Sequence, residues 1–339
     1  MKAWVLTAHG EPARALSLQQ RPDPAPKAGQ VLIRCEGFGL NYADVMAVKG
    51  LYRDAPPPPC VLGYEVVGRV EGPGDGVPAE LLGKRVVAMT RFGGYAELAV
   101  TDHRALAVIP DHMPLGEAAA LATQGVTAWY MARIARPLRQ GQRVLVHSAA
   151  GGVGQLLVQL AVKSGCTVYA VAAGARKMEQ LRQLGAHHPI DRSTGDYAQQ
   201  VRALLGDRRI DVSFNAVGGS TFRKDMDLIG SGGAQVLFGG SERGEGKGML
   251  GTLRFVWRMG LVVPIFLMMK SRSLIGVNML RISEHHPDVI AECVRGVVQA
   301  HAEGWLKPHV HKEFPHDQLP AALEALGSGG TMGKVAVRW

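Results

Sequence analysis

The stretch that most restricts what this chain can become is Arg143-Val-Leu-Val-His147 running into Ser148-Ala-Ala-Gly-Gly-Val-Gly154. An apolar β-rich run ends in a glycine-dense turn, and an apolar segment from Gln155 to Lys163 follows without a β-breaker. That order predicts a strand, a tight turn and a helix N-terminus, the arrangement that cradles a pyrophosphate. Small residues let the turn's backbone N–H groups approach the phosphates. The helix N-terminus adds about half a positive charge at the same point. In G-x-G-x-x-G terms the three positions are Ala149, Gly151 and Gly154, so the first glycine is an alanine. The chain holds 43 glycines, so on the motif alone a β–α turn without a ligand stays open.

The neighbourhood of the turn supports the ligand reading. Strands are predicted at 143–147, 167–172, 189–190, 210–214, 234–238 and 274–278, with helices at 153–164, 176–184, 196–205 and 220–229 between them. Such alternation predicts an α/β fold with a doubly wound parallel sheet. Residues 1–120 read differently, as short strands broken by Gly and Pro. Examples are Val31-Leu-Ile-Arg-Cys35, Glu65-Val-Val-Gly-Arg-Val70, Arg85-Val-Val-Ala-Met89 and Tyr95-Ala-Glu-Leu-Ala-Val100. This spacing predicts a small barrel or sandwich. Leu115 to Arg136 reads as helix in two pieces broken near Gly125. The tail reads as a helix at 286–303, a strand at 308–314, a helix at 317–326 and a last strand at 333–337.

A chain of 339 residues is long enough for two domains. The predicted division is 1–122, completed by 284–339, against 123–283, with an apolar insertion at 245–272. The opening residues read as a first strand without a cleavage pattern. Four scattered cysteines with no C-x-x-C pair point to reduced thiols in the cytoplasm, with no disulfide frame or zinc cage. The net charge of +9 raises nucleic acid or an anionic membrane as partner. The basic residues are dispersed without aromatic interleaving, however, so a solvated surface is the favoured reading and nucleic acid is not expected.

The cofactor is read from the second strand of the sheet. An NAD-binding sheet places Asp or Glu at the end of that strand to hold the ribose 2′-OH. Here the strand continues Ala173-Gly174-Ala175-Arg176-Lys177, with no acid before Glu179, and the next strand ends at Asp191-Arg192. A small residue followed by cations suits a 2′-phosphate, so NADPH is predicted, with Gly174, Lys177 and Arg192 around that phosphate. Two charge-assisted bonds favour NADPH over NADH by roughly two to four powers of ten. An ordinary solvated first helical turn is the alternative for Arg176 and Lys177.

Several further motifs occur in order: Gly39-Leu-Asn-Tyr-Ala-Asp44, Lys49-Gly-Leu-Tyr52, Leu62-Gly-Tyr-Glu-Val-Val-Gly68, Gly93-Gly-Tyr-Ala-Glu97 and Gln124-Gly-Val-Thr-Ala128. With the glycine turn they resemble the medium-chain dehydrogenase/reductase superfamily over nearly the whole chain. Within it the chain looks like the zinc-free quinone oxidoreductases of zeta-crystallin type. His188-Pro-Ile-Asp191, Val217-Gly-Gly219 and the 245–272 insertion are similar to the vesicle amine transport protein branch. The resemblance implies a GroES-like barrel domain followed by a Rossmann domain.

The zinc alcohol dehydrogenases place a cysteine where this chain has Asn41 and a histidine where it has Tyr64, and both replacements are poor zinc ligands. No catalytic or structural zinc is expected. The resemblance implies a pocket walled by Asn41, Tyr52 and Tyr64, in which Asn41 and Tyr52 donate to the substrate oxygen or hold the nicotinamide end. Asp44 is expected to orient the loop. Met46 stands where the family often has a second tyrosine, which leaves no dedicated proton donor. Aromatic packing, with the hydroxyl tied to backbone, is the alternative for Tyr52 and Tyr64. On the cofactor side the resemblance implies Ala149, Gly151, Gly152 and Val153 at the pyrophosphate. It implies Thr127, Val217, Phe238, Gly239, Val277 and Met279 toward the nicotinamide, with core packing an alternative for Phe238.

Three readings of the insertion stand: core or dimer contact, a helix closing an apolar cleft, and a membrane-surface anchor, the last suggested by Arg254, Arg258 and Trp257. The leading expectation is an NADPH-dependent reductase of quinones or α,β-unsaturated carbonyls, acting without zinc and dimerising through an edge strand near Leu274–Asn278. The rival is a non-enzymatic protein that binds NADPH for sensing or trafficking, or that contacts RNA or membrane.

Overall fold

The computed structural model describes residues 1–245 and 248–339, so residues 246 and 247 of the predicted insertion lie outside the described residues. The chain divides into two compact units, Met1–Thr127 with Leu280–Trp339, and Ala128–Met279. The junctions fall at 127 and 279, not at the expected 122 and 283. The wide helical turn Leu121–Gly125 stays with the first unit, where Gly125 lies so close to Val297 that a β-carbon would sit 2.7 Å from its side chain.

The first unit is built around the long strand Gln30–Leu40. It pairs antiparallel with Glu65–Pro73, Leu98–Asp102 and Lys334–Arg338. Arg85–Met89 and Leu106–Val108 extend the sheet on one side, and Val310–Pro315 closes the other by pairing parallel with the last strand. A three-stranded sheet, Leu16–Gln20, Lys2–Leu6 and Cys60–Val61, packs with it. The apolar residues of these strands form one core that includes Ile33, Phe38, Leu40, Val66 and Val335. Such alternation of inward apolar and outward polar positions is what a half-buried strand requires.

The helical region after residue 114 departs from the expected two pieces. A regular helix, Leu115–Ala120, gives way to a wide turn in which Ala122 has ψ −111°. The break comes three residues before Gly125. It releases the Thr123 N–H from the helix and turns it to Glu65 Oε2 at 2.7 Å. A buried carboxylate that accepts this amide offsets the lost helical bond.

The second unit is a six-stranded parallel sheet in the order His188–Asp191, Thr167–Ala172, Arg143–Val146, Ile210–Asn215, Ile229–Leu237 and Ser273–Gly276. In chain order this is 3-2-1-4-5-6, the doubly wound arrangement whose switch point lies between its first and fourth strands. Helices Gly152–Lys163, Ala175–Gln183, Tyr197–Leu205 and Ser220–Leu228 connect the strands. The fifth strand begins at Ile229, five residues before the predicted 234, because Gly230, Gly232 and Gly233 hide its start in the sequence. Ser273–Gly276 is an edge strand of this sheet. The insertion folds into two helices, Gly248–Met259 and Pro264–Met269. The window Leu250–Met269 is 0% buried, which removes the core reading.

Candidate functional site

In the first unit, polar side chains converge where its strands begin and end. Gln30–Leu40 runs out into Asn41, whose backbone N–H donates to Asp44 Oδ2 at 2.8 Å as the helix Tyr42–Val48 starts. Glu65 and Lys334 each open a strand, are fully buried, and form an ion pair. Asn41 lies on that pair. Its Nδ2 donates to Glu65 Oε1 at 3.0 Å, while Lys334 Nζ donates to Asn41 Oδ1 at 3.3 Å and to the Leu40 carbonyl at 3.2 Å. Burial pushes the Lys334 ammonium down, and Glu65 pulls it back up. Charges at this depth persist only when their remaining lone pairs and protons are bonded. Gly39 makes room for the pair, since a β-carbon there would overlap both side chains.

Beside this saturated pair lies an under-bonded pocket of oxygens. Asp44 Oδ1, the Tyr64 hydroxyl, the Tyr95 hydroxyl and Gln124 Oε1 are all buried without a hydrogen-bond partner among the described residues. Burial pushes the Asp44 carboxyl up to about 7, with Glu65 adding to the rise and the Asn41 N–H opposing it. Tyr95 faces Asp44, and its phenol is pushed well up by burial and then by that carboxylate. Tyr64 packs edge-on against Tyr52, with ring centres 6.0 Å apart, and tilted against Phe92 at 5.2 Å. Its phenol is also pushed far up, chiefly by burial, so the hydroxyl keeps its proton and is a donor. Half-buried Tyr52 is pushed up to about 12.

These placements refine the expected roles. Tyr64 packs as an aromatic residue does, yet its hydroxyl is not tied to backbone. Asn41 is tied to Glu65 and Lys334, and its side chain orients the ion pair. The Thr127 hydroxyl donates to the Thr123 carbonyl at 2.5 Å, inside its own helix. Among the described residues no group of three His, Cys, Asp or Glu side chains could hold a metal ion.

In the second unit the glycine turn has the predicted form. Ser148 takes a positive φ of 49°, and the Gly151 N–H donates to the Ser148 carbonyl at 2.8 Å. Ala149 is fully buried and its N–H donates to the Val171 carbonyl at 3.0 Å, so alanine is accepted where the pattern has glycine. Gly154 admits nothing larger, because a β-carbon would strike the Ser148 carbonyl. Gly151 caps the helix without any side-chain hydrogen bond, leaving the amides of Gly152 and Val153 to an incoming acceptor.

At the end of the second strand Gly174 has φ +94° and open space where a β-carbon would be. Its N–H donates to Asp191 Oδ1 at 3.0 Å, and Ser193 donates to the same oxygen through its N–H and its hydroxyl. These three bonds hold the Asp191 carboxyl below its usual range, with the Ser193 hydroxyl first. Lys177 is pushed down by burial and then by Arg192, which places the two cations within each other's field.

Farther along the same edge, Asn215 Oδ1 accepts from the N–H groups of Val217 and Gly218 at 2.9 Å each. Phe238 is half-buried and donates its N–H to the Asn215 carbonyl at 3.1 Å, so it is not a core residue. Gly239 is required by the Ala216 carbonyl, 2.6 Å from where a β-carbon would sit. The Val277 N–H donates to the Leu237 carbonyl at 2.8 Å, and Met279 is buried.

Beneath these turns lies a hub that sequence reasoning did not find. Asp225 is fully buried on the helix Ser220–Leu228. It accepts from the Tyr197 hydroxyl at 2.7 Å, the Ser213 hydroxyl at 2.6 Å and Asn215 Nδ2 at 2.8 Å, and His147 Nε2 lies 2.9 Å away. The hub therefore ties His147, which leads into the glycine turn, to Asn215, which holds the Val217–Gly218 turn.

Known proteins resemble this chain. Residues 27–111 match the family model for the alcohol dehydrogenase GroES-like domain, and residues 152–295 match that for zinc-binding dehydrogenases. The human synaptic vesicle membrane protein VAT-1 homolog is 32% identical over 99% of this chain and 86% of its own length. Rat quinone oxidoreductase is 30% identical over 92% of this chain and 90% of its own. The chain belongs to the quinone oxidoreductase family of medium-chain dehydrogenases/reductases. A mycobacterial protein of known structure, solved with NADPH, superposes on this family member with a TM-score of 0.87 at 27% identity, over 100% of both chains.

Proposed function

We propose that this protein is an NADPH-dependent, zinc-independent reductase that delivers hydride to a quinone or to the β-carbon of an α,β-unsaturated carbonyl. What supports the reading is Asn41, whose carboxamide is held between Glu65 and Lys334, at the position where by resemblance the zinc alcohol dehydrogenases place a cysteine. Redox chemistry without a Lewis acid needs an acceptor that is electron-poor already, as conjugated quinones and enones are.

The second unit's residues fit NADPH. The uncapped amides of Gly152 and Val153 suit a pyrophosphate, and Gly174 leaves room for the adenosine ribose. The mutual repulsion of Lys177 and Arg192 would be relieved by a 2′-phosphate. Asp191, which could compete with that phosphate, is occupied by Gly174 and Ser193. When bound, NADPH supplies the hydride. In the first unit the unpartnered, protonated Tyr64 hydroxyl is the donor suited to the acceptor's oxygen, and Tyr52 offers a second. Solvent supplies the remaining proton.

We also propose a homodimer formed by pairing of the open edge strand Ser273–Gly276, and a reducing compartment, the cytoplasm, for the four free cysteines. The test of the activity is NADPH oxidation, followed near about 340 nm, against quinones, 2-alkenals and enones with NADH in parallel. Turnover of either acceptor class with NADPH preferred is the expected result. NADPH binding without turnover of any acceptor would replace this reading with the sensing role.

A further inference from the structure

Of the two buried carboxylates in the first unit, Glu65 is paired with Lys334, while Asp44 has no ion pair among the described residues. Asp44 is fully buried on the helix Tyr42–Val48, and its Oδ2 accepts the Asn41 N–H at 2.8 Å. Its Oδ1 turns toward the Tyr95 phenol with no hydrogen bond of ordinary length on it. The Tyr64 hydroxyl is bare in the same pocket, and after burial it is Asp44 that raises the Tyr64 phenol most. A buried carboxylate that stays charged normally collects two or three donors. Asp44 has one amide, so its proton is within reach of an ordinary change of pH.

The groups that face Asp44 come from several elements. Glu65 opens the strand Glu65–Pro73 and Lys334 opens Lys334–Arg338, and their opposite charges act against each other at Asp44. Tyr95, just before the strand Leu98–Asp102, is neutral in this range, as are Tyr52 and Tyr64. Asp54, whose charge also acts on Tyr52 and Tyr64, is paired with Arg281. The helix Leu319–Gly327 meets the Asp44 helix where Gly327 approaches Val45, and its one acid, Glu324, is exposed. Burial therefore decides when Asp44 ionises, near about 7.

That ionisation changes what Tyr64 can do. With Asp44 neutral, no carboxylate opposes the Tyr64 hydroxyl as a donor. With Asp44 ionised, its field holds the phenolic proton on Tyr64 more firmly and makes the hydroxyl a weaker donor. Hydride delivery to a conjugated acceptor builds negative charge on the acceptor's oxygen, and the strength of the donor aimed at that oxygen sets part of the barrier.

We propose that Asp44 acts through Tyr64, its neutral carboxyl freeing that hydroxyl to donate to the acceptor oxygen and its carboxylate withholding it. This rests on the reductase reading. The experiment is the pH profile of kcat/KM for a non-ionising enone or quinone, with the full chain at saturating NADPH. The parent should hold a plateau below about pH 6 and fall about ten-fold by about pH 8. Asp44→Asn, which cannot ionise, should show no such fall. Tyr64→Phe should start from a lower plateau and stay flat, because the group that Asp44 controls is gone. It also keeps the proposal testable if thermal melts show that Asp44→Asn does not fold. A flat parent profile, or the full decline retained in either variant, overturns the role of Asp44 while leaving the reductase reading intact. Absence of turnover at every pH with every acceptor overturns that reading and this proposal with it.

Discussion

Two fully buried aspartates sit at the centres of the two units, and they are treated in opposite ways. Asp225 accepts from Tyr197, Ser213 and Asn215 and lies against His147, so both of its oxygens are bonded. Asp44 accepts a backbone N–H on one oxygen and turns the other toward the Tyr95 phenol, beside the bare Tyr64 hydroxyl, with no hydrogen bond of ordinary length on it. A saturated buried network fixes turns in place. An unsaturated one is tolerated only where something else is to be bound. The first therefore reads as scaffold under the cofactor turns, and the second as the wall of a working site.

The largest effect should come from breaking the scaffold. Asp225→Ala removes the acceptor shared by Tyr197, Ser213 and Asn215 and is expected to cost about 3–5 kcal/mol, read as a fall in denaturation midpoint. A loss under about 1 kcal/mol would mean the hub is not structural.

Asp44→Asn should do the reverse at neutral pH. The Asp44 carboxyl is raised in the folded protein from 3.8 to about 7, so folding binds its proton. That contribution to stability is complete below the unfolded value and is lost as pH rises through about 7, by roughly 4 kcal/mol. Asp44→Asn lacks this slope. It should match the parent near about pH 4 and exceed it near about pH 8, as melts across that range would show. Parallel curves would remove Asp44 from the contrast.

Arg192→Asp probes a charged site left open to ligand. It should lower the NADPH/NADH ratio of kcat/KM by about a hundred-fold, with little change in melting because Arg192 is exposed. The smallest effect is expected for Tyr64→Phe, a loss of about ten-fold in kcat/KM with stability held or slightly raised, since an unpaired buried hydroxyl is removed. A clear drop in stability would show that the hydroxyl serves the core.

Much of the second unit was legible because its signals are local. The strand 143–146, the turn through Gly154 and the helix after it are contiguous, so periodicity and glycine placement suffice to find them. The nearness of Lys177 and Arg192 was expected the same way, from residues that follow predicted strands. The helix Met279–His285 was not, since His285-His286-Pro287 reads as loop. Glu65 and Lys334 gave no signal, being 269 residues apart in the chain and ordinary members of β-strands taken separately.

The sequence by itself determined the order of strands and helices, the glycine turn, the missing acid before Glu179 and the placing of Asn and Tyr, poor zinc ligands, at 41 and 64. Each of these rests on residue types within a few positions of one another. Only the tertiary structure decided which polar groups are paired. It paired Lys334 with Glu65 beside Asn41, gathered Tyr197, Ser213, Asn215 and His147 around Asp225, and left Asp44, Tyr64 and Tyr95 with unmatched oxygens. Burial and partnership are properties of where distant segments meet, and hydrogen bonds of a few ångströms cannot be read from separations along the chain.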